Sequence, residues 1–168
     1  MVWDKGVDFE EAQAKISRHL ARAEPPARCY DAILLIQLRN GLRVNEAVRA
    51  FKEFLTRKAL EVEVQVSKKR KFETRLVVIP RELLDAKLAG CSDLLALDEK
   101  KLAHRVKMYC LRRYGFNTHS LRYAFITYLL RQGVSPSIIA KITKHSRLDF
   151  ILTYTQEKAA EEILKRLG

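Results

Sequence analysis

The sequence predicts a mainly α-helical α+β domain that carries one small antiparallel β-hairpin at its edge. Two observations predict it. Long stretches place apolar residues at helical spacing between capping residues and Gly or Pro stops. Two short runs are β-rich instead, residues 60–66 alternating with period two and residues 75–79 stopped by Pro80, and they enclose a polar connection. At 168 residues with 48% hydrophobic content, the chain has the length of one domain, and such a domain buries about two thirds of the surface of its unfolded chain.

Taken in order, residues 9–23 read as an amphipathic helix with acids in the first turn, ended by Pro25 and Pro26. Residues 27–40 carry Ala32, Leu35, Ile36 and Leu38 and read as a central buried helix, with Gly41 in the left-handed position past its end. Arg43 then falls in a tight connector, and Asn45 reads as the cap of the next helix. On its own, Arg43 could equally pair with Glu46 at the surface. The hairpin follows, its connection holding Lys68, Lys69, Arg70 and Lys71 in succession, and Pro80 stops its second strand. Residues 81–89 predict a short helix up to Gly90, and residues 91–97 a connector. Asp98 should cap a helix with Leu102, Val106, Tyr109 and Cys110 in one stripe, ending at Gly115. Thr118 should cap another that runs to Gly133, with His119 and Arg122 three apart on one face. Ser135 and Pro136 open a further helix that sends Ile138, Ile139 and Ile142 toward a core, and His145 lies in the turn after it. A short helix should carry Phe150 to Tyr154, and residues 156–168 a tail helix with Ala159, Ile163, Leu164 and Leu167 on one side.

The net charge of +12, from 32 basic and 20 acidic residues, makes a polyanion the expected partner, double-stranded DNA first and a membrane surface a distant second. Arg105, Arg112 and Arg113, with Lys144, Lys68 and Arg70, are the candidate phosphate contacts. No apolar run approaches a membrane span, and the first ten residues lack the pattern of a signal peptide. The expected location is the cytosol, at the nucleoid. Cys29, Cys91 and Cys110 show no paired spacing, so they are expected as buried small residues in a reducing compartment, with neither disulfide nor zinc site. His19 and His104 are expected at the surface. A charged fraction of 31% with few Asn and Gln fits a thermophile.

Two boxes carry the chemistry. GLRVNEA at residues 41–47 presents Arg43, and the stretch from 119 to 154 presents His119, Arg122, His145 and, nine residues later, Tyr154. In this order and spacing they resemble the tyrosine recombinase, or phage integrase, family, over roughly residues 30–160. The resemblance implies the family's catalytic-domain fold and its reaction, cleavage and rejoining of duplex DNA through a 3′-phosphotyrosine, without a metal or other cofactor. Arg43 and Arg122 would grip the phosphate, since a guanidinium fork matches two oxygens at once. Tyr154 would attack; only about one phenol in a thousand is ionised at neutral pH, so His119 would take its proton. His145 would hydrogen-bond a non-bridging oxygen. A hairpin lysine would protonate the leaving 5′ oxygen, Lys69 or Lys71, because the family position counted back from Arg75 falls on Arg70. The resemblance also implies that the tail helix couples subunits on DNA. The family's N-terminal core-binding domain has no room here, so residues 1–168 are expected to be a single catalytic domain. The rival reading is a DNA-binding protein without catalysis, in which residues 134–155 form a helix-turn-helix.

Overall fold

The computed structural model describes residues 6–67, 72–145, 157 and 160–168. Its organising element is helix α2 (Ala27–Asn40), against which α1 (Phe9–Arg22), α3 (Val44–Arg57), α5 (Glu99–Tyr114) and α6 (His119–Arg131) all pack. Every α2 residue from Cys29 to Leu38 is buried, as expected of a helix that is apolar nearly all round. By contrast α1 turns one stripe, Ala12, Ile16 and Leu20, to the core. The Asp8 carboxylate caps it by accepting the Glu11 N–H at 3.0 Å.

Gly41 ends α2 at φ 63°, and the Leu42 N–H turns back to the Gln37 carbonyl at 3.1 Å. A side chain at Gly41 would also overlap the Phe125 ring of α6, so glycine is demanded by backbone and packing together. Helix α3 begins at Val44, with Arg43 and not Asn45 as its boundary. The cause is Glu46, whose carboxylate accepts the Arg43 backbone N–H at 3.0 Å and closes the first turn.

Strands β1 (Glu61–Gln65) and β2 (Thr74–Val78) form the antiparallel hairpin, with Glu61 opposite Val78 and Gln65 opposite Thr74. Val62, Val64, Arg75 and Val77 face inward. Asn40, at the end of α2, takes the place of a third strand: its amide donates to the Val78 carbonyl and accepts the Val78 N–H, both at 2.9 Å. That pairing ties the hairpin to the end of α2.

Beyond Pro80 the local reading fails in part. Helix α4 covers only Glu82–Asp85, and a 3₁₀ segment at Ala89–Ala96 replaces the expected connector. Leu83 and Leu88 are both buried, and one α-helix would hold residues five apart at ~140° to each other. The 3₁₀ segment instead brings Cys91 to α2, where it forms a disulfide with Cys29. This corrects the expectation of three buried thiols; spacing along the chain carries no information about a pair 62 residues apart. Only Cys110 remains free and buried; burial and the neighbouring Asp31 push its thiol up to about 12, which makes it unreactive. Unreduced, denatured protein should therefore show one thiol with Ellman's reagent, and three would contradict the pairing. Closing a loop of this length contributes about 4 kcal/mol, so reduction should lower Tm by roughly 10 °C.

The end of α5 is held by a second surprise. His19 is only partly exposed: its Nδ1 lies 2.6 Å from the fully buried Asp31 carboxylate. His104 is exposed, as expected. Gly115 ends α5 in the left-handed region, and α6 starts at His119. Its first turn is capped by Asn117, whose Oδ1 accepts from the Ser120 N–H and hydroxyl at 2.9 Å each, while the Thr118 side chain makes no cap. Helix α7 (Pro136–Thr143) rests on α6; Ile139 is buried and Ile142 partly so, but Ile138 is 52% exposed. Residues 160–167 are helical, and Arg131 pairs with Glu162 at 3.6 Å. Among the described residues no helix is long and apolar enough to cross a membrane.

Candidate active site

The C-terminal end of α2 is where the two boxes of the sequence meet. Gln37 joins them through the backbone: its Nε2 donates to the Leu42 carbonyl, beside Arg43, and to the Thr118 carbonyl, beside His119, at 3.0 Å each. Both arms thus hang from one buried amide.

Arg122 lies beneath this junction, 1% exposed. Its Nη1 donates to the Gly41 carbonyl at 2.6 Å and its Nη2 to the Thr143 carbonyl at 3.1 Å. Each guanidinium arm therefore holds a different chain turn, the one after α2 and the one after α7. His145 stands against Nη2, which lies 3.1 Å from its Nε2 and 3.2 Å from its Nδ1. Its Nδ1 lies 2.6 Å from the Thr143 hydroxyl, and that hydroxyl gives its own proton to the Ile139 carbonyl at 2.9 Å. Thr143 must then accept from the imidazole, which puts the proton on Nδ1 and leaves Nε2 as acceptor for Arg122.

Glu46 completes the cluster from below. Fully buried, it accepts from Arg43 Nη1 at 3.2 Å, lies 4.0 Å from Arg122 Nη1, and accepts the Ser67 N–H at 2.9 Å. Arg43 does pair with Glu46, as its bland reading required, but in the interior and beside Arg122. The Ser67 contact fixes the root of the basic connection as well.

A third guanidinium belongs to the same neighbourhood. Arg75, 3% exposed on β2, donates through Nη2 to the Asn40 carbonyl at 2.6 Å, and its Nη1 finds no partner among the described residues. Burial, with the nearby charge of Arg43 acting the same way, pushes Arg75 down to about 10. Arg122 is pushed down to about 9 by burial first, then by Arg43 and Arg75. Three guanidiniums surround one carboxylate, so the site is short of negative charge, and a phosphate would supply it.

His119 is exposed at the start of α6, its ring edge-on to Tyr123 at 4.9 Å. With Arg43, Ser67, Lys107 and Asn117 it lines a cleft of about 660 Å³. The structure therefore links Arg43, Arg122 and His145 through Glu46 and the Arg122 guanidinium, and places His119 in the same cleft as Arg43. Arg105, Arg112 and Arg113 are exposed on α5. Lys144 sits at φ 58° and pairs with Glu73 at 3.6 Å, linking the end of α7 to the base of the hairpin. Lys68, Lys69, Arg70, Lys71 and Tyr154 lie outside the described residues. No group of three His, Cys, Asp or Glu side chains that could hold a metal occurs among the described residues.

Sequence reasoning missed Glu46, Gln37 and Arg75 as parts of this site. For Arg75 a signal existed, since its phase along the alternating strand matches Val77 and points it inward.

The model of the phage integrase family matches residues 9–161. The chain belongs to that family. It is 44% identical to ORF241 of Acidianus two-tailed virus, a protein named as an integrase, over 99% of this chain and 69% of that one. A protein named as an integrase from Sputnik virophage, V10, is 30% identical over 98% of this chain and 89% of its own. Tyrosine recombinase XerA of Thermococcus kodakarensis is 32% identical over 83% of this chain and 55% of its own. No solved structure matches the chain at a significant level. Membership accords with the fold class read from the sequence, a mainly helical α+β domain with one antiparallel pair of strands, and implies that the chain binds DNA.

Proposed function

We propose that this integrase-family chain is a single catalytic domain of a site-specific recombinase that cuts and rejoins duplex DNA through Tyr154. The observation that carries the reading is the convergence of Arg43, His119, Arg122 and His145 on the end of α2, around a deficit of negative charge. A scissile phosphate placed there would meet the Arg43 fork on its non-bridging oxygens, and the Arg122 fork as its arms leave the Gly41 and Thr143 carbonyls. Tyr154 Oη would form its bond to phosphorus as the bond to the 5′ oxygen breaks, conserving the linkage for rejoining. His119 would accept the phenol proton, and Lys69 or Lys71 would give one to the 5′ oxygen. His145 would work first through Arg122, which it orients, and donate to a phosphate oxygen once protonated. The helix-turn-helix alternative gives no reason for the buried arginine cluster.

Incubating the full chain with supercoiled plasmid and then denaturing it should leave DNA covalently attached to protein. Tyr154→Phe should lose that attachment and keep salt-sensitive binding. An adduct of equal yield in the variant would refute the proposed nucleophile; binding without any adduct in either chain would favour the non-catalytic reading.

Self-association on DNA belongs to the same proposal. Ile163, Leu164 and Leu167 of the tail helix are 54%, 68% and 80% exposed, an apolar side that a neighbouring copy would cover. Deleting residues 157–168 should reduce the association state on DNA in analytical ultracentrifugation, and an unchanged state would remove this part of the reading.

A further inference from the structure

A second cavity, of about 710 Å³, opens between α1 and the end of α5 and shares no lining residue with the Arg43 cleft. Its charged lining is cationic throughout, Lys15, Arg18, Arg22 and Arg113, joined by His19 and Tyr114. None of the four cations pairs with a described acid. Helix dipoles account for Arg22 and Arg113, each in a last turn. They do not account for Lys15 and Arg18, which stand earlier on α1. Between Ala12 and Ala23, and again between Lys100 and Tyr114, the chain has no acidic residue; Glu99 at the start of α5 is held by Arg49.

Behind the cations the wall is built with care for one ring. Tyr109 and Tyr114 donate to Asp31 Oδ1 at 2.9 and 2.6 Å, and His19 Nδ1 meets Oδ2 at 2.6 Å. Burial first, with the Asp31 charge beside them, pushes both phenols well above their ordinary range, so they stay donors. Asp31 is fully buried and its oxygens are taken, so it offers the surface cations no partner. With Nδ1 committed to Asp31, His19 is left with Nε2, which has no described partner, on a ring lining the cavity. A carboxylate behind a histidine fixes its orientation and tautomer, which a histidine merely facing water does not need.

We propose that this cavity is a second phosphate site, in which Arg18, Arg22 and Arg113 hold the oxygens of a phosphate ester against the wall that carries the His19 ring. Its volume suits a ligand larger than one inorganic phosphate. The phosphate comes either from the backbone of duplex DNA or from a free phosphate ester such as a nucleotide. The site stands whether or not Tyr154 cuts DNA.

The test uses the full chain with isotope-labelled histidine, pyrophosphate as the probe and sodium chloride as the control at equal ionic strength. Pyrophosphate should shift the His19 ring signals saturably and leave exposed His104 unmoved. Arg18→Ala with Arg22→Ala, both at exposed positions, should weaken that binding at least fivefold. A His19 shift no larger than chloride produces, or weakening below fivefold, would overturn the site. A short duplex that displaces pyrophosphate from His19 assigns the phosphate to DNA; binding of the duplex without displacement assigns it to a free ester.

Discussion

Glu46→Ala should destabilise the fold by about 3–5 kcal/mol, the usual cost of removing one partner from a buried ion pair. The reason is local and specific. Among the described residues Glu46 is the one carboxylate beside Arg43, Arg75 and Arg122, and it also closes the first turn of α3 and accepts the Ser67 N–H. Its loss leaves buried guanidiniums facing each other and two backbone donors without a partner. In a domain of this size the change corresponds to a fall in Tm of roughly 10 °C. Glu46→Gln should fall between, because its amide oxygen can still accept one donor but its amino group would face the others. Thermal melts of the three chains check the order. An alanine variant within about 1 kcal/mol of the parent would mean that Glu46 does not hold the arginines together.

Arg122→Lys should slow DNA cleavage by about 10² to 10³, the range found on losing one preorganised donor to a developing negative charge. Charge is kept, so the loss isolates geometry. One ammonium cannot reach the Gly41 carbonyl, the Thr143 carbonyl and His145 together, as the two arms of the guanidinium do. Overall affinity for DNA should change little, because exposed Arg105, Arg112 and Arg113 remain to attract the backbone. Single-turnover cleavage and gel shift at matched salt separate the two quantities. Cleavage within tenfold of the parent would contradict the role assigned to the fork.

Much of the architecture is legible in the sequence because it rests on local signals. The stops at Gly41 and Gly115, the acids in the first turn of α1, and the alternation of the first strand each depend on residues a few positions apart. The two boxes were legible for the same reason, since each is a short string. Features made by distant residues were not. Cys29 finds Cys91 only because the 3₁₀ segment packs on α2, and His19 turns inward only because α2 and α5 supply Asp31 and Tyr109. The start of α3 was misplaced because Glu46, inside the helix, outcompeted Asn45 as the group that closes the turn. Gln37 and Asn40 escaped notice because they act on backbone carbonyls and amides, which carry no sequence signature at the far end.

In the proposed reaction Tyr154 becomes joined to DNA at the phosphate held by Arg43 and Arg122. A duplex carrying a nick beside the cleavage point would trap the joined state, since the short cut end diffuses away. Protease digestion and mass spectrometry of the trapped material would then identify the linked peptide. One DNA-bearing peptide is expected, with the nucleotide on Tyr154, absent when Arg122→Ala replaces the parent chain. Linkage to any other residue, or an undiminished yield without Arg122, would contradict it.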